Sequence, residues 1–307
     1  MKILIITGFL GAGKTRFIQE MARQTGQQFV ILENEFGKLG LDGARLQESA
    51  GDQLKVWELS EGCICCSLDL DFTYTVLTIA NSLNPDYLVI EPSGVAMPSN
   101  IIAQLNKIAY ERITLAAPIV LIDGAHYQNS RAQFADYFQD QLSSANTVVV
   151  SKTENWRRDD FAKLREELSL STEITLSETH YSHWSREQWQ SLLETEMQLV
   201  NENGKTQFKF KQIKKQPENP LANISIESPY FANIGWLDYA LRVLVSGCVG
   251  KIARAKGCCE IAGHWVKFDL VNTEYAITGS ESMEDSRAVV IGQNFNHDAI
   301  KMLFQQK

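Results

Sequence analysis

An α/β protein with a mostly parallel sheet, followed by a smaller α+β domain, is what three features of the 307-residue chain predict. The first half alternates continuous apolar runs with amphipathic stretches, the pattern of a parallel sheet covered on both faces. The first of those runs ends in a glycine-rich turn that opens a helix. Beyond a polar stretch at 201–220 the chain turns to alternating strand patterns.

"KILIIT" at the N-terminus is a continuous apolar run and reads as a buried parallel strand, with a helix from Lys14 to about Thr25 behind it. Further buried strands are expected at "FVILE" (29–33), "YLVIE" (87–91), "PIVLID" (118–123) and "NTVVVS" (146–151). The segments 72–83, 98–111 and 130–142 between them read as helices, and 158–169 and 185–200 as two more amphipathic ones. These make a first domain over 1–200. "NENGKTQFKFKQIKKQPENP" (201–220), rich in lysine and glutamine with two prolines, reads as a linker leading into a strand. The second domain, 221–307, holds a helix at 236–246, a hairpin turning at Ala262-Gly263, the strands "YAITG" and "AVVIG", and a last helix at 297–305.

Composition bounds the function. Hydrophobic residues make up 44% and charged residues 21%, the balance of a globular protein, and the formal net charge is -8. Nothing in this acidic balance suggests a nucleic-acid footprint, which would need a basic face. No apolar run is long enough to span a membrane, and the N-terminal run gives way to glycines and Lys14 too soon for a signal peptide. A reducing cytoplasm is the expected compartment, where clustered cysteines serve metal or redox chemistry more often than structural disulfides.

"GFLGAGKT" (8–15) fits G-x-x-x-x-G-K-[ST] between a predicted strand and a predicted helix, the context that gives the pattern a mechanism. This is the phosphate loop of a P-loop nucleoside triphosphatase fold. The backbone of Gly8, Gly11, Ala12 and Gly13 is expected to converge on phosphate oxygens at the helix N-terminus. Lys14 is expected to neutralise the β and γ phosphates, and the Thr15 hydroxyl to ligate Mg²⁺. In "YLVIEPSG" Glu91 and Gly94 close a buried strand, where an acidic residue reaches the Mg²⁺ shell and a glycine amide the γ-phosphate. "ENEFGKLGLDG" (33–43) suits a loop that orders around nucleotide, with Glu35 the contact. Lys14, Glu35 and Glu91 are thus the catalytic set.

"VVVSKTE" ends a strand at Ser151-Lys152-Thr153-Glu154 and resembles the N-K-x-D guanine-reading motif with two departures. A carboxylate there accepts from guanine N1–H and N2–H₂, whereas adenine presents an acceptor and leaves it unpaired, at about 1–3 kcal/mol. Glu154 is one methylene longer than aspartate and must fold back, and Ser151 lacks the asparagine amide.

"SEGCICCSLD" (60–69) puts three of the six cysteines into four positions. In an extended strand Cys63 and Cys65 share a face and Cys66 points away, so the thiols converge if the chain bends where the loop enters the helix near Leu70. A helix N-terminus lowers thiol pKa, and thiolates so arranged suit Zn²⁺ and other thiophilic metals. Three sulfurs leave a tetrahedral ion one open position, as a site that hands metal on requires. A dithiol redox switch uses the same residues. Cys258 and Cys259, adjacent in the hairpin, face opposite ways and read as packing; His180 and His183 read as surface residues without a role.

In their order, "GFLGAGKT", "NEFG", "GCICC", "EPSG" and "SKTE", with "RAKG" (254–257) and "AVVIG" (288–292) behind them, resemble the CobW-type metallochaperone GTPases, which include the nitrile hydratase activators and zinc-transfer GTPases. The resemblance implies a GTPase domain and a small α+β domain that helps recognise clients. It implies slow GTP hydrolysis coupled to delivery of Zn²⁺, Co²⁺ or a similar ion to a client metalloprotein. By the same resemblance Gly11 to Thr15 bind phosphates and Mg²⁺, Glu91 belongs to the Mg²⁺ and water shell, and Cys63, Cys65 and Cys66 hold the transferred metal. Two other readings use the same residues: a thiol-based metal or redox sensor in which nucleotide is a structural ligand, and a small-molecule kinase. The sequence names neither the metal nor the client, nor the oligomeric state.

Overall fold

The structure, a computed structural model, describes residues 1–33, 54–58, 71–108, 113–197, 199–202, 205–208, 217, 219–283 and 285–306. These fall into two compact units, one holding the described residues up to 208 and the other those from 217 onward.

The first unit is built on a parallel sheet. Its strands are β1 (Lys2–Gly8), β2 (Phe29–Glu33), β3 (Leu54–Glu58), β4 (Tyr87–Glu91), β5 (Thr114–Leu115), β6 (Ile119–Asp123), β7 (Thr147–Ser151) and β8 (Thr175–Leu176). They run in the order β3-β2-β4-β1-β6-β7-β8, with β5 also on β1. Central strands buried on both faces account for the unbroken apolar runs. Along β1, Leu4 and Ile6 enter one core cluster while Ile3 and Ile5 enter another, as the two-residue period of a strand requires. On the first face lie α1 (Lys14–Thr25) and α7 (Arg186–Glu194); on the second, α2 (Asp71–Thr78) and α3 (Pro98–Asn106). Helices α4 (Tyr127–Gln133), α5 (Ala135–Ser144) and α6 (Arg158–Glu167) complete the unit.

Helix α1 buries Phe17, Ile18, Met21, Ala22 and Thr25 on one stripe and stops at Gly26, whose φ of 69° is a conformation that favours glycine. Phe17 meets Trp189 at 5.1 Å and Tyr181 edge-on at 5.3 Å. Aromatic pairs of this kind add about 0.5–1.5 kcal/mol each beyond their burial. They fix the helix behind the phosphate loop to the chain beyond β8.

The structure corrects four element readings. β3, "LKVWE", was not expected, because one alternating lysine breaks the apolar run that marked its neighbours. The helix read at 72–83 ends its regular turns at Thr78 and closes in a π-turn over Ile79–Leu83. The helix read over 130–142 is two, α4 and α5, meeting at Phe134, whose φ of -131° is not helical. The helix read over 185–200 ends at Glu194; beyond it β9 (Leu199–Glu202) and β10 (Lys205–Phe208) pair antiparallel, so the first part of the polar stretch 201–220 is a hairpin.

The second unit is a five-stranded antiparallel sheet in the order β11-β16-β13-β14-β15: β11 (Ala222–Glu227), β13 (Lys251–Ile261), β14 (His264–Val271), β15 (Glu274–Gly279) and β16 (Arg287–Gln293). Ala262 (φ 51°) and Gly263 (φ 80°) make the two-residue turn between β13 and β14. Helix α8 (Ile234–Ser246) lays Leu237, Ala240, Leu241 and Leu244 into the core of this sheet, and α9 (His297–Leu303) adds Ile300. A short parallel pair, β12 (Tyr230–Phe231) and β17 (Gln305–Gln306), ties its two ends together. Cys258 and Cys259 are both fully buried, and burial pushes the Cys259 thiol up to about 12.

One buried carboxyl makes the fold of the first unit pH-dependent. Asp140 on α5 is 0% exposed, and its Oδ2 accepts the Ser99 N–H at the start of α3 at 3.2 Å. Burial raises its pKa more than the Ser99 hydrogen bonds lower it. A carboxyl whose folded pKa is raised contributes stability that is full below the unfolded value of about 3.9 and is lost as pH rises through the folded value. Asp140→Asn keeps an acceptor for Ser99 and removes the charge. Urea unfolding between about pH 4 and pH 7 is therefore expected to show the native chain losing stability relative to this variant as pH rises; a difference that stays constant contradicts it.

Candidate functional site

Parallel strands bring their carboxyl ends to one edge, and at this edge the order of the strands sets the site. β1 lies between β4 and β6, so the loop leaving Gly8 emerges between Glu91 and Asp123. Such a switch point is where open α/β sheets bind ligands.

The loop from Gly8 to Thr15 is shaped by its glycines. Gly11 (φ 75°) and Gly13 (φ 83°) hold left-handed conformations, and Ala12 N–H closes a turn on Phe9 O at 3.1 Å. Gly13 caps α1 without a side-chain hydrogen bond, and the first turn of α1 holds no acidic residue. A helix N-terminus left this way directs amide N–H groups and positive partial charge into the loop, the arrangement that suits phosphate. Lys14 folds back over it, its Nζ donating to Gly8 O at 3.1 Å.

Thr15 and Glu91, 76 positions apart, meet here: Thr15 Oγ1 donates to Glu91 Oε1 at 2.9 Å. Glu91 is 6% exposed at the end of β4, and the register pairs it with Glu33 on β2. Hydroxyl and carboxylate oxygens converging beside a phosphate loop are the donors that Mg²⁺ takes. Gly94 packs against the loop from below. A Cβ placed on it would stand 2.5 Å from Leu10 N and 2.7 Å from Leu10 Cα. Its carbonyl accepts from buried Gln141 Nε2 at 3.2 Å, so α5 holds the segment after β4 in place.

On the other side of the loop stand Ser151 to Glu154. Ser151 Oγ donates to Ala12 O at 2.8 Å, tying β7 to the phosphate loop. Lys152, in a left-handed conformation (φ 57°), reaches Asp123 Oδ2 at 2.6 Å. Asp123, at the end of β6, was passed over in the sequence; its Oδ1 accepts the amides of Ala125 and His126 while Oδ2 faces Lys152 and the His126 ring. Its signal was position alone, the last residue of a buried parallel strand. Glu154 keeps more than half of its side chain exposed and lies 3.8 Å from His180 Nε2. His180 corrects a second reading: it is buried, 5% exposed, and caps the turn Tyr181–His183 through its own ring.

Glu35, Cys63, Cys65 and Cys66 lie outside the described residues. Among the described residues no group of three His, Cys, Asp or Glu side chains could hold a metal ion. No described helix is long and apolar enough to cross a membrane.

The contact beneath the phosphate loop yields a prediction. Gly94→Ala drives a methyl into the Leu10 backbone, which is not free to yield as a side-chain tip would be. A displacement of this order is expected to weaken nucleoside triphosphate binding by about tenfold to a hundredfold, while circular dichroism stays native. Unchanged affinity in a titration with a fluorescent nucleotide contradicts the close approach.

Residues 2–175 match the family described as CobW/HypB/UreG, nucleotide-binding domain, and residues 230–307 match the cobalamin synthesis protein cobW C-terminal domain. The zinc chaperone YeiR of Escherichia coli is 35% identical over 153 residues, 49% of this chain and 46% of YeiR. The zinc chaperone CobW of a Sinorhizobium species is 32% identical over 197 residues, 55% of each chain. The chain thus spans about half the length of these curated relatives. The zinc chaperone YjiA of Escherichia coli is 29% identical over 273 residues, 85% of this chain and 82% of YjiA. The crystal structure of Zn(II)-bound YjiA GTPase from E. coli is 22% identical, with a TM-score of 0.45 over 100% of this chain and 99% of that one. By the match that spans its phosphate loop and its parallel sheet, this chain belongs to the CobW/HypB/UreG family.

Proposed function

We propose that the chain is a GTP-hydrolysing metallochaperone, which binds a transition-metal ion at Cys63, Cys65 and Cys66 and delivers it to a client metalloprotein. The observation that carries the nucleotide half is the hydrogen bond from Thr15 Oγ1 to Glu91 Oε1 at 2.9 Å, which joins the phosphate loop to the end of β4. Thr15 and Glu91 would hold Mg²⁺ there, and the ion would neutralise charge developing on the transferred phosphoryl group. Lys14 would swing from Gly8 O to the phosphates, and the amides of Gly11, Ala12 and Gly13 would hold the β-phosphate. Glu35 is assigned to the order-on-binding loop after β2 and Gly94 to the γ-phosphate. Guanine is the base, read by Glu154, with Lys152 along its ring and Ser151 bracing the phosphate loop from behind.

The metal half rests on chemistry and on position in the chain. Three thiols in four positions form a soft donor set suited to zinc or cobalt, and three sulfurs leave a tetrahedral ion a position for a receiving ligand. Cys63 follows the end of β3, Glu58, by five positions. The register β3-β2-β4 puts Glu58, Glu33 and Glu91 at one level of the sheet edge. β3 therefore ends, five positions before Cys63, at the edge where the terminal phosphate would be sensed, and the nucleotide is proposed to set how tightly the metal is held. The relatives named zinc chaperones support zinc as the cargo.

Two variants test the two halves. Lys14→Ala is expected to lower GTP turnover, measured as phosphate release, by about a hundredfold or more; full turnover in the variant overturns the role of Lys14, and a native chain that releases no phosphate leaves the sensor reading. The triple variant Cys63→Ser, Cys65→Ser, Cys66→Ser is expected to lose stoichiometric Zn²⁺ in metal analysis while still binding nucleotide. Retained stoichiometric metal moves the site elsewhere.

A further inference from the structure

Glu154 is one methylene longer than the aspartate of an N-K-x-D segment, and the structure supplies a device that offsets the extra length. In an N-K-x-D segment a short carboxylate is aimed at the base by its own backbone. Glu154 has one more rotatable bond, and with 56% of its side chain exposed it has room to wander.

His180 stands where that freedom can be removed. It lies four residues past β8, next in the sheet to β7, and its Nε2 is 3.8 Å from Glu154 Oε1. The ring is 5% exposed. Its Nδ1 accepts the Ser182 backbone N–H at 3.3 Å and lies 2.8 Å from Ser182 Oγ. A nitrogen that accepts a backbone N–H carries no proton, so in the neutral ring the proton sits on Nε2. Burial holds the imidazole below its usual range, with Glu154 opposing by a smaller amount. That Nε2–H is buried and makes no hydrogen bond within the described residues. The ring cannot drift: it packs on Tyr181 at 4.2 Å, and Tyr181 meets Phe17 of α1, the helix that opens at the phosphate loop. A fixed donor, built into the same frame as the phosphate site, thus faces the one carboxylate assigned to the base.

We propose that His180 is a positioning residue for base recognition: its Nε2–H takes Glu154 Oε1 when a guanine enters, and so aims the longer carboxylate at the base. The inference rests on the guanine reading of Glu154. Closing the gap from 3.8 Å to an ordinary N–H···O distance takes a movement of roughly 0.8 Å, within the reach of one side-chain rotation. Each carboxylate oxygen has two lone pairs, so Oε1 can accept from His180 and from a base N–H together, while Oε2 accepts from the other. His180 then stands in for the rigidity that a shorter aspartate supplies by itself. It does not touch the base.

The test is a nucleotide panel titrated by fluorescence competition against the full chain and three variants. GDP carries N1–H and the 2-amino group, IDP lacks the 2-amino group, and ADP has neither donor edge. His180→Phe keeps the ring and removes the donor. His180→Asn keeps an acceptor for Ser182 and is too short to reach Glu154. His180→Gln carries an amide donor near the place of Nε2. The native chain is expected to bind GDP more tightly than IDP and ADP. The Phe and Asn variants, neither of which brings a donor to Glu154, are expected to lose about tenfold in GDP affinity, less in IDP and nothing in ADP, with Gln restoring most of the loss. Equal losses for GDP and ADP would make His180 a general structural residue and overturn the inference, as would an unchanged GDP-to-IDP ratio in both the Phe and Asn variants. A native chain that binds GDP and ADP alike would instead overturn the guanine reading itself, whatever the variants do.

Discussion

A hydroxyl and a carboxylate 76 positions apart share one proton contact, and the site is organised around it. Thr15 Oγ1 donates to Glu91 Oε1 because β1 and β4 run parallel in register from Lys2 and Tyr87 to Ile5 and Ile90, so both chains arrive at the edge together. The first turn of α1 then overlies the end of β4. Gly94, three residues on, fits beneath the loop because it has no Cβ. Ser151 holds the loop from the opposite side. Thr15, Glu91 and Gly94 brace the loop, and the proposed function gives the same three residues the sensing of the terminal phosphate.

The frame extends to the base side by packing rather than by hydrogen bonds. Phe17, Tyr181, Trp184 and Trp189 form one aromatic group, with ring centroids 5.0–6.5 Å apart. It anchors α1 to the turn that carries His180. The phosphate loop and the turn that carries His180 are therefore packed on one aromatic group, the pre-organisation by which a site avoids ordering costs on binding. Where the aromatic group supplies rigidity, the segment Lys152–Glu154 supplies adaptability, with Lys152 paired to Asp123 and Glu154 largely in solvent.

Much of this was legible from residue order. Continuous apolar runs predicted β1, β2, β4, β6 and β7 because strands buried on both faces need no polar alternation. The glycine-lysine-threonine turn predicted where α1 begins. β3 was not legible, since five residues with a lysine and a glutamate look like any polar loop until β2 is there to pair with them. The helix read through Val200 failed for a similar reason: "TEMQLV" continues an amphipathic period, and the hairpin partner at Lys205–Phe208 decided against it. Among site residues, chemical types at strand ends could be read off, but partners could not. Nothing in "SETHYSHW" marks His180 as buried or near Glu154; that comes from the parallel pairing of β7 with β8 and from the aromatic group behind it.

In the proposed function the terminal phosphate, sensed between Thr15 and Glu91, sets the grip on the metal at the three cysteines. Linkage makes this measurable from either side, because a ligand that changes another's affinity must have its own changed by the same factor. The direct measurement is the Zn²⁺ dissociation constant of the full chain by competition with a chromophoric chelator, taken once with a non-hydrolysable GTP analogue and Mg²⁺ and once with GDP. Constants that differ by about fivefold or more are expected; identical constants in the two nucleotide states would contradict the coupling.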